Sequence, residues 1–476
     1  LISNNNDHLL VEENGLLKHK LYPYQRHGVH WLLFCLINSI GTILGDDMGL
    51  GKTAQVIALV AEALQKKLAS RVMIVVPNSL LENWRREFQF FCSDIVPYLH
   101  FGNERTGLAE NLSPYKVLIM PYTIMTSDID MIEDLEVDIL VFDEASMLKN
   151  PRSERRLAAG RINARSIIAM TGTPVENNLL DLWSLVDLIS PGYLDSEENF
   201  VNKYVGKTIS ETLEKDLNIL EENISQVMIR RMKEDILTEL PDKIDIHQAI
   251  ALSLQERKTY RELVDAIQNS DESCVLAEIV RLQKYTSHPF LLNDISKPSV
   301  EDLKQASAKF TRLFELLCEI NEREEKVLIF ANHIAMIDLL KEAIESEFST
   351  PVFTIDGRIE VIERQNAIDN FSALTGFAAL VLNPKTAGMG LNITAANHVV
   401  HYSRQWNPAL EEQATARAFR NGQEKNVNAF YLYYADTIEE VIDERLRQKK
   451  ALADSVVSVV DEKLTETDFY LEHLKK

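Results

Sequence analysis

The stretch GDDMGLGKTAQVIALV (45–60) decides how this chain is read. Gly49 and Gly51 let successive backbone N–H groups wrap around phosphate oxygens, and a helix beginning near Lys52 turns its positive dipole end toward them. Lys52 has the reach for β- and γ-phosphates, and Thr53 carries a hydroxyl suited to magnesium. Asp46 stands where the strict pattern GxxxxGK(S/T) has its first glycine. Taken alone, the stretch therefore also fits a glycine turn that caps a structural helix.

Two neighbouring signals argue for the phosphate reading. Ile139-Leu140-Val141-Phe142 runs straight into Asp143-Glu144, which sets two carboxylates at the C-terminal end of a buried strand, where ligand sites of α/β sheets lie. Asp143 then suits magnesium, and Glu144 suits the orientation or deprotonation of an attacking water. Thr171-Gly172-Thr173-Pro174 follows another strand, and its hydroxyls could sense a γ-phosphate and couple two lobes.

Working outward, Val72–Val76, Lys116–Met120 and Ser166–Met170 are further short, nearly continuous apolar runs. Strands buried on both faces of a parallel sheet read this way. Residues 178–290 are helical by pattern, and the polar stretch 293–305 with Pro298 reads as a linker. Strand-like runs return at 327–330, 352–355, 378–382, 398–401 and 429–433. The predicted fold is α/β: two RecA-like parallel-sheet lobes with helical insertions between and on them. The expected boundaries are 1–200 for the ATP-binding lobe, 201–300 for helical insertions and linker, 301–434 for the second lobe, and 435–476 for a brace and C-terminal helix.

Composition sets the outer limits. A chain of 476 residues with 46% apolar and 26% charged residues is a folded protein of more than one domain. Cys35, Cys92, Cys274 and Cys318 are far apart and never form a CxxC pair, which argues against a disulfide framework or zinc site and for a reducing compartment. The apolar run Trp31–Leu44 is too short and too interrupted to span a bilayer and reads as a buried helix running into a strand. The N-terminus has neither an initiator Met nor a signal-peptide pattern, so the chain reads as part of a longer protein. The net charge of −22 excludes a generally basic DNA-coating protein but leaves room for a local basic track.

In the second half, QATARAFRNGQ (413–423) places Arg417 and Arg420 three residues apart, on one face of an expected helix, with Gln413 and Gln423 flanking them. A bare RxxR is usually a solvated surface. Here it follows the glycine-rich PKTAGMGLN (384–392) in a second α/β unit, where a mobile lobe could bring arginine to a phosphoryl transition state.

Together these motifs resemble the SNF-type ATPases of helicase superfamily two. The segments that carry the resemblance run in order through nearly the whole chain: LYPYQRHGVHWL (21–32), DDMGLGKT (46–53), VVPNSLLENWRREF (75–88), DEAS (143–146) and TGTPVENNLLDLWSLVDLISPGYL (171–194). MIRRMKEDILTELPDK (228–243), LQKYTSHPFLL (282–292), KVLIFANH (326–333), DGRIEVIERQNAIDNF (356–371), NPKTAGMGLNITAANHVVHY (383–402) and WNPALEEQATARAFRNGQ (406–423) complete it. The resemblance implies ATP and magnesium as cofactors and translocation on double-stranded DNA. It implies that Gln25 reads adenine, and that Asp47, Met48, Gly49, Leu50, Gly51, Lys52, Thr53 and Gly390 bind nucleotide. Catalysis falls to Lys52, Asp143, Glu144, Arg417 and Arg420, and coupling to Thr171, Thr173 and Gln423. Residues 435–457 look like the family's brace from the second lobe to the first. Ser146, Ser287-His288-Pro289 and Ser403 depart from the family's usual residues.

Nucleic-acid contacts expected by motif are Asn78, Ser79, Tyr122, Thr123, Lys385 and Thr386 at strand-to-helix turns, with Arg230 beside Arg231 and Lys233. The basic stretch 148–165 could line a DNA track, although a solvated helix face is the better reading. Trp84, Trp183 and Trp406 read as core packing, and His27 with His30 as structural. The competing functions are an RNA- or single-strand-directed helicase and a nucleotide-dependent scaffold. The acidic balance also suits a cytoplasmic prokaryotic motor in phage defence or polymerase recycling, with other domains or subunits as partners and no membrane.

Overall fold

In the computed structural model the apolar runs become inner strands of two all-parallel sheets, one in each of two units that divide between Thr238 and Glu239. The structure describes residues 17–102, 105–172, 179–204, 211–236, 241–269, 272–292, 298–387, 393–405, 408–420 and 422–453.

The first unit holds β1 (Thr42–Leu44), β2 (Val72–Val76), β3 (Tyr98–Leu99), β4 (Val117–Pro121), β5 (Val137–Phe142), β6 (Ala164–Met170) and β7 (Met228–Ile229), in the order β3-β4-β2-β5-β6-β1-β7. Every residue of β2 is buried, and the pleat sends them alternately to two cores. Met73 and Val75 join one apolar cluster; Val72, Ile74 and Val76 join the other. β5 divides in the same way, with Leu140 and Phe142 against Ile139 and Val141. Helices α1 (Pro23–Ile37), α2 (Lys52–Gln65) and α3 (Leu81–Phe91) cover one face. Because each such side chain contributes about 1.5–3 kcal/mol on burial, covering both faces stabilises the sheet that carries the loops.

The second unit repeats the scheme with β8 (Lys243–Ile250), β9 (Lys326–Phe330), β10 (Val352–Ile355), β11 (Ala378–Leu382), β12 (His398–His401) and β13 (Val427–Tyr434), ordered β10-β11-β9-β12-β13-β8. Val327 and Ile329 of β9 face one core, and Leu328 and Phe330 the other.

The helical middle is shared between the units. Helices Glu197–Tyr204 and Glu211–Val227 belong to the first, and Leu254–Gln268 and Glu272–Ser287 to the second. Of the stretch expected as a linker, 293–297 lie outside the described residues, whereas Val300–Ala306 is a helix. Ser299 Oγ accepts from the Asp302 N–H, and the Asp302 carboxylate accepts from the Ser299 N–H, a capping box that outweighs the polar composition. The described part of the expected brace, Ile438–Ala453, packs in the second unit: Ile438, Ile442 and Leu446 share a core with Tyr260, Leu263 and Leu282. At its start Glu439 pairs at 2.8 and 3.0 Å with Lys309, whose side chain is fully buried.

Candidate nucleotide site and nucleic-acid surface

All strands of the first sheet run the same way, so the turns after β1, β2, β4, β5 and β6 lie at one edge of it. The loop after β1 enters α2 at Lys52. Gly49 and Gly51 adopt φ of 87° and 72°, left-handed values that favour glycine, and Gly51 is the N-cap of α2. Gln25 on α1 spans the loop, accepting from the Tyr22 N–H at 3.0 Å and donating to the Leu50 carbonyl at 3.2 Å. Lys52 Nζ donates to the carbonyls of Asp46 at 2.6 Å and Asp47 at 3.3 Å. Burial pushes its ammonium pKa down, opposed by the negative charge of Glu144, Asp46, Asp143 and Asp47.

Asp46 explains its departure from the strict glycine pattern. Its carboxylate is fully buried and pairs with Arg231, whose Nε donates to Oδ1 at 2.8 Å. Gln55 completes the group, donating to Asp46 Oδ2 at 3.0 Å and accepting from Arg231 Nη2 at 2.7 Å. The chain around Arg231 is tied to the same loop. Asp47 N–H donates to the Arg231 carbonyl at 3.0 Å, and Lys233 N–H donates to Asp47 Oδ2 at 3.0 Å. Arg231 is thus a support of the phosphate loop and not a nucleic-acid contact.

After β5, Asp143 is buried and Glu144 is not. Asp143 Oδ1 accepts from the Glu144 N–H at 2.9 Å, and Oδ2 accepts from the indole N–H of Trp84 on α3 at 2.7 Å. Glu144 holds φ 49°, ψ 52°, a left-handed conformation that costs a non-glycine residue about 1–3 kcal/mol and clusters at functional sites. Thr171 is buried after β6, its N–H donating to the Leu44 carbonyl at 3.1 Å. Gly172 sits over the loop: a Cβ there would lie 2.8 Å from Met48 Cγ and 3.7 Å from Lys52 Nζ. Thr173 lies outside the described residues.

Tyr122 is a further correction to the expected nucleic-acid residues. It is 1% exposed and its hydroxyl donates to the Asp143 carbonyl at 2.8 Å, so it braces the acidic pair from below. Asn78 and Thr123 are exposed at the turns after β2 and β4, Ser79 is partly buried, and Arg230 is half-buried after β7. In the second unit Lys385 is exposed and Thr386 buried on the short helix Pro384–Ala387 after β11. Within the basic stretch 148–165, Lys149, Arg152, Arg156, Arg161 and Arg165 each face a carboxylate, which leaves little net charge for DNA.

Arg417 and Arg420 do not share a helix face. The helix Pro408–Thr415 ends before them, and the chain continues in turns closed by bonds such as Arg417 N–H to Ala414 O and Gln423 N–H to Arg420 O. Gln423 makes this possible. Its amide donates to the carbonyls of Thr394, Ala396 and Ala418 at 2.9–3.1 Å, tying the turns after the helix to the loop before β12. Arg417 is buried and Arg420 partly so; Gly390 and Trp406 lie outside the described residues. The residues that sequence reasoning missed are Trp84, Gln55 and Gly28. A Cβ at Gly28 would overlap Gln55 Oε1 and lie 2.7 Å from Arg231 Nη2, so α1 comes flush against the support of the loop only through glycine.

Against known families, residues 24–299 match the SNF2-related domain, and residues 308–422 match the helicase conserved C-terminal domain. The chain belongs to the SNF2-related family. This SNF2-related chain is 35% identical over 456 residues to the putative ATP-dependent helicase/translocase YwqA of Bacillus subtilis, covering 92% of the chain and 49% of that protein. It is 33% identical over 460 residues to the chromodomain-helicase-DNA-binding protein 1-like of Danio rerio, covering 93% of the chain and 44% of the relative. The chain thus spans about half the length of these relatives. The SWI2/SNF2 ATPase core of Sulfolobus solfataricus solved with dsDNA is 30% identical, with a TM-score of 0.48 and 96% of each chain covered.

No helix among the described residues of the SNF2-related chain is long and apolar enough to cross a membrane. Nor do they contain a group of three or more His, Cys, Asp or Glu side chains that could hold a metal alone. Asp143, Glu144 and the Thr53 hydroxyl are hard oxygen donors, a donor type that fits magnesium, an ion that keeps waters and phosphate oxygens as its other ligands.

Proposed function

We propose that the chain hydrolyses ATP and uses it to move along double-stranded DNA. The observation that carries this reading is the convergence, at one edge of the first sheet, of the Gly49–Thr53 loop, the Asp143–Glu144 pair and the Thr171–Gly172 turn. The loop backbone and Lys52 cradle the β- and γ-phosphates, with Gln25 at the adenine. Thr53 and Asp143 hold magnesium, which when bound neutralises charge on the phosphate oxygens. Glu144 orients and deprotonates the attacking water. Arg417 and Arg420 of the second unit stabilise charge on the transferred phosphoryl group, and Thr171, Thr173 and Gln423 couple hydrolysis to movement.

Duplex DNA as the track is supported by the SNF-type segments, by a relative named as a translocase and by another named as DNA-binding. Asn78, Ser79, Thr123, Arg230 and Lys385 are the contacts assigned to it; Thr386, which is buried, is not. With a net charge of −22 the protein binds DNA through a local path, and binding weakens as salt rises. A reducing, cytoplasmic setting goes with this reading, since all four cysteines are free thiols.

The test is ATP hydrolysis with no nucleic acid, duplex DNA, single-stranded DNA or RNA, at two salt concentrations. Stimulation by duplex that fades with salt is expected. Stimulation only by single strands or RNA would replace the duplex motor with a helicase, and hydrolysis absent in every arm would remove the motor reading.

A further inference from the structure

Trp84 looks like an ordinary core residue: it is fully buried on α3, with its ring 6.2 Å from Phe88 and packed in the cluster under the sheet. Packing alone does not account for its direction. The indole N–H points out of that cluster to Asp143 Oδ2 at 2.7 Å, a charge-assisted bond. The other carboxylate oxygen accepts from the Glu144 N–H, and the Asp143 carbonyl accepts from the Tyr122 hydroxyl. The indole N–H on one oxygen and the Glu144 N–H on the other hold the plane of the Asp143 carboxylate.

From this geometry we infer that Trp84 is a positioning residue for magnesium. Its N–H sets the plane of the Asp143 carboxylate, so that the carboxylate meets the ion already oriented. The inference rests on the assignment of Asp143 to magnesium made above. Outer partners of this kind typically change metal affinity by about 10–100-fold. Phe or Leu would keep apolar atoms in the same cluster, but neither has an N–H to offer the Asp143 carboxylate. α3 also begins directly after Asn78 and Ser79, so the turn assigned to DNA and the metal carboxylate are braced by one helix.

The experiment compares the wild-type chain with Trp84→Phe and with a chain carrying benzothienylalanine at position 84, which keeps the bicyclic shape and lacks the N–H. Binding of Mn2+ as a magnesium probe is followed by electron paramagnetic resonance with saturating ADP, and ADP affinity is measured separately with the metal chelated. Both replacements are expected to weaken Mn2+ binding about 10–100-fold, to leave metal-free ADP affinity within about twofold, and to raise the Mg2+ concentration that half-saturates hydrolysis. Unchanged Mn2+ affinity in the benzothienylalanine protein overturns the inference, even if Trp84→Phe unfolds. Asp143→Asn separates the two levels. If it abolishes Mn2+ binding while both Trp84 replacements do not, only the role of Trp84 fails; if it leaves Mn2+ binding intact, the metal site itself is misassigned.

Discussion

Arg231 and Asp46, 185 positions apart in the chain, form a buried ion pair beneath the phosphate loop. The pair shows why the loop tolerates a carboxylate where the strict pattern has glycine. The Asp46 carboxylate is buried and held by Arg231 and Gln55, while the left-handed turns fall to Gly49 and Gly51.

Breaking that pair from one side leaves a buried charge without its partner. Arg231→Met is expected to cost about 3–5 kcal/mol and to weaken ATP binding, and Asp46→Asn added to Arg231→Met should restore part of the stability. Urea unfolding with a fluorescent ATP analogue checks both; a single variant as stable as wild type would refute the role.

Gly28→Ala inserts one carbon into the same group. Overpacking of this kind is expected to cost about 1–3 kcal/mol, whereas Gly107→Ala, with open space around it, should cost far less. Melting temperatures of the two variants decide the matter.

Glu144→Gln keeps the shape of the side chain and removes its basicity. Turnover should be lost while ATP binding stays near wild type; normal turnover would remove Glu144 from the reaction.

Arg420→Ala is expected to lower turnover by about 10³-fold or more with little change in nucleotide affinity, the signature of a transition-state contact. Equal losses in both would make it a binding residue.

Acid should destabilise the second unit first. Burial pushes both His288 and His401 down to about 4, so each stays neutral in the fold while the unfolded chain takes up a proton below its ordinary value of 6.5. Stability is therefore intact above pH 6.5 and falls progressively as the pH drops from 6.5 toward 4, by an amount on the order of 3 kcal/mol per imidazole. Urea midpoints at pH 7.5 and 5 should differ, and His401→Gln should reduce the difference.

The inner strands were readable in sequence because their residues are buried on both faces. Val72–Val76, Ile139–Phe142, Val327–Phe330 and Ala378–Leu382 form unbroken apolar runs, and each lies within a strand. Two of the edge strands, β7 and β8, carry no such signal. β8 is only partly buried along KIDIHQAI, and β7 is two residues long, so both passed as part of a helical region. At the site, the loop and acidic pair showed themselves through glycine spacing and strand position. Contacts between distant residues did not: nothing local to Trp84 points to Asp143, and nothing near Arg231 points to Asp46. Tyr122 reads as a nucleic-acid contact because it opens a strand-to-helix turn, but the first residue after β4 turns inward.

β7 has one more consequence. After β6 the chain leaves the first sheet, passes through the helices between Leu179 and Val227, and returns to the open edge beside β1 before reaching the unit boundary. This excursion is stitched down at both ends, so added length inside it would cost little. Surgery at its far end is different: a fragment cut at residue 200 would contain the phosphate loop and the acidic pair and still lack the stitch at Met228–Arg231 that adds the edge strand and locks the phosphate loop.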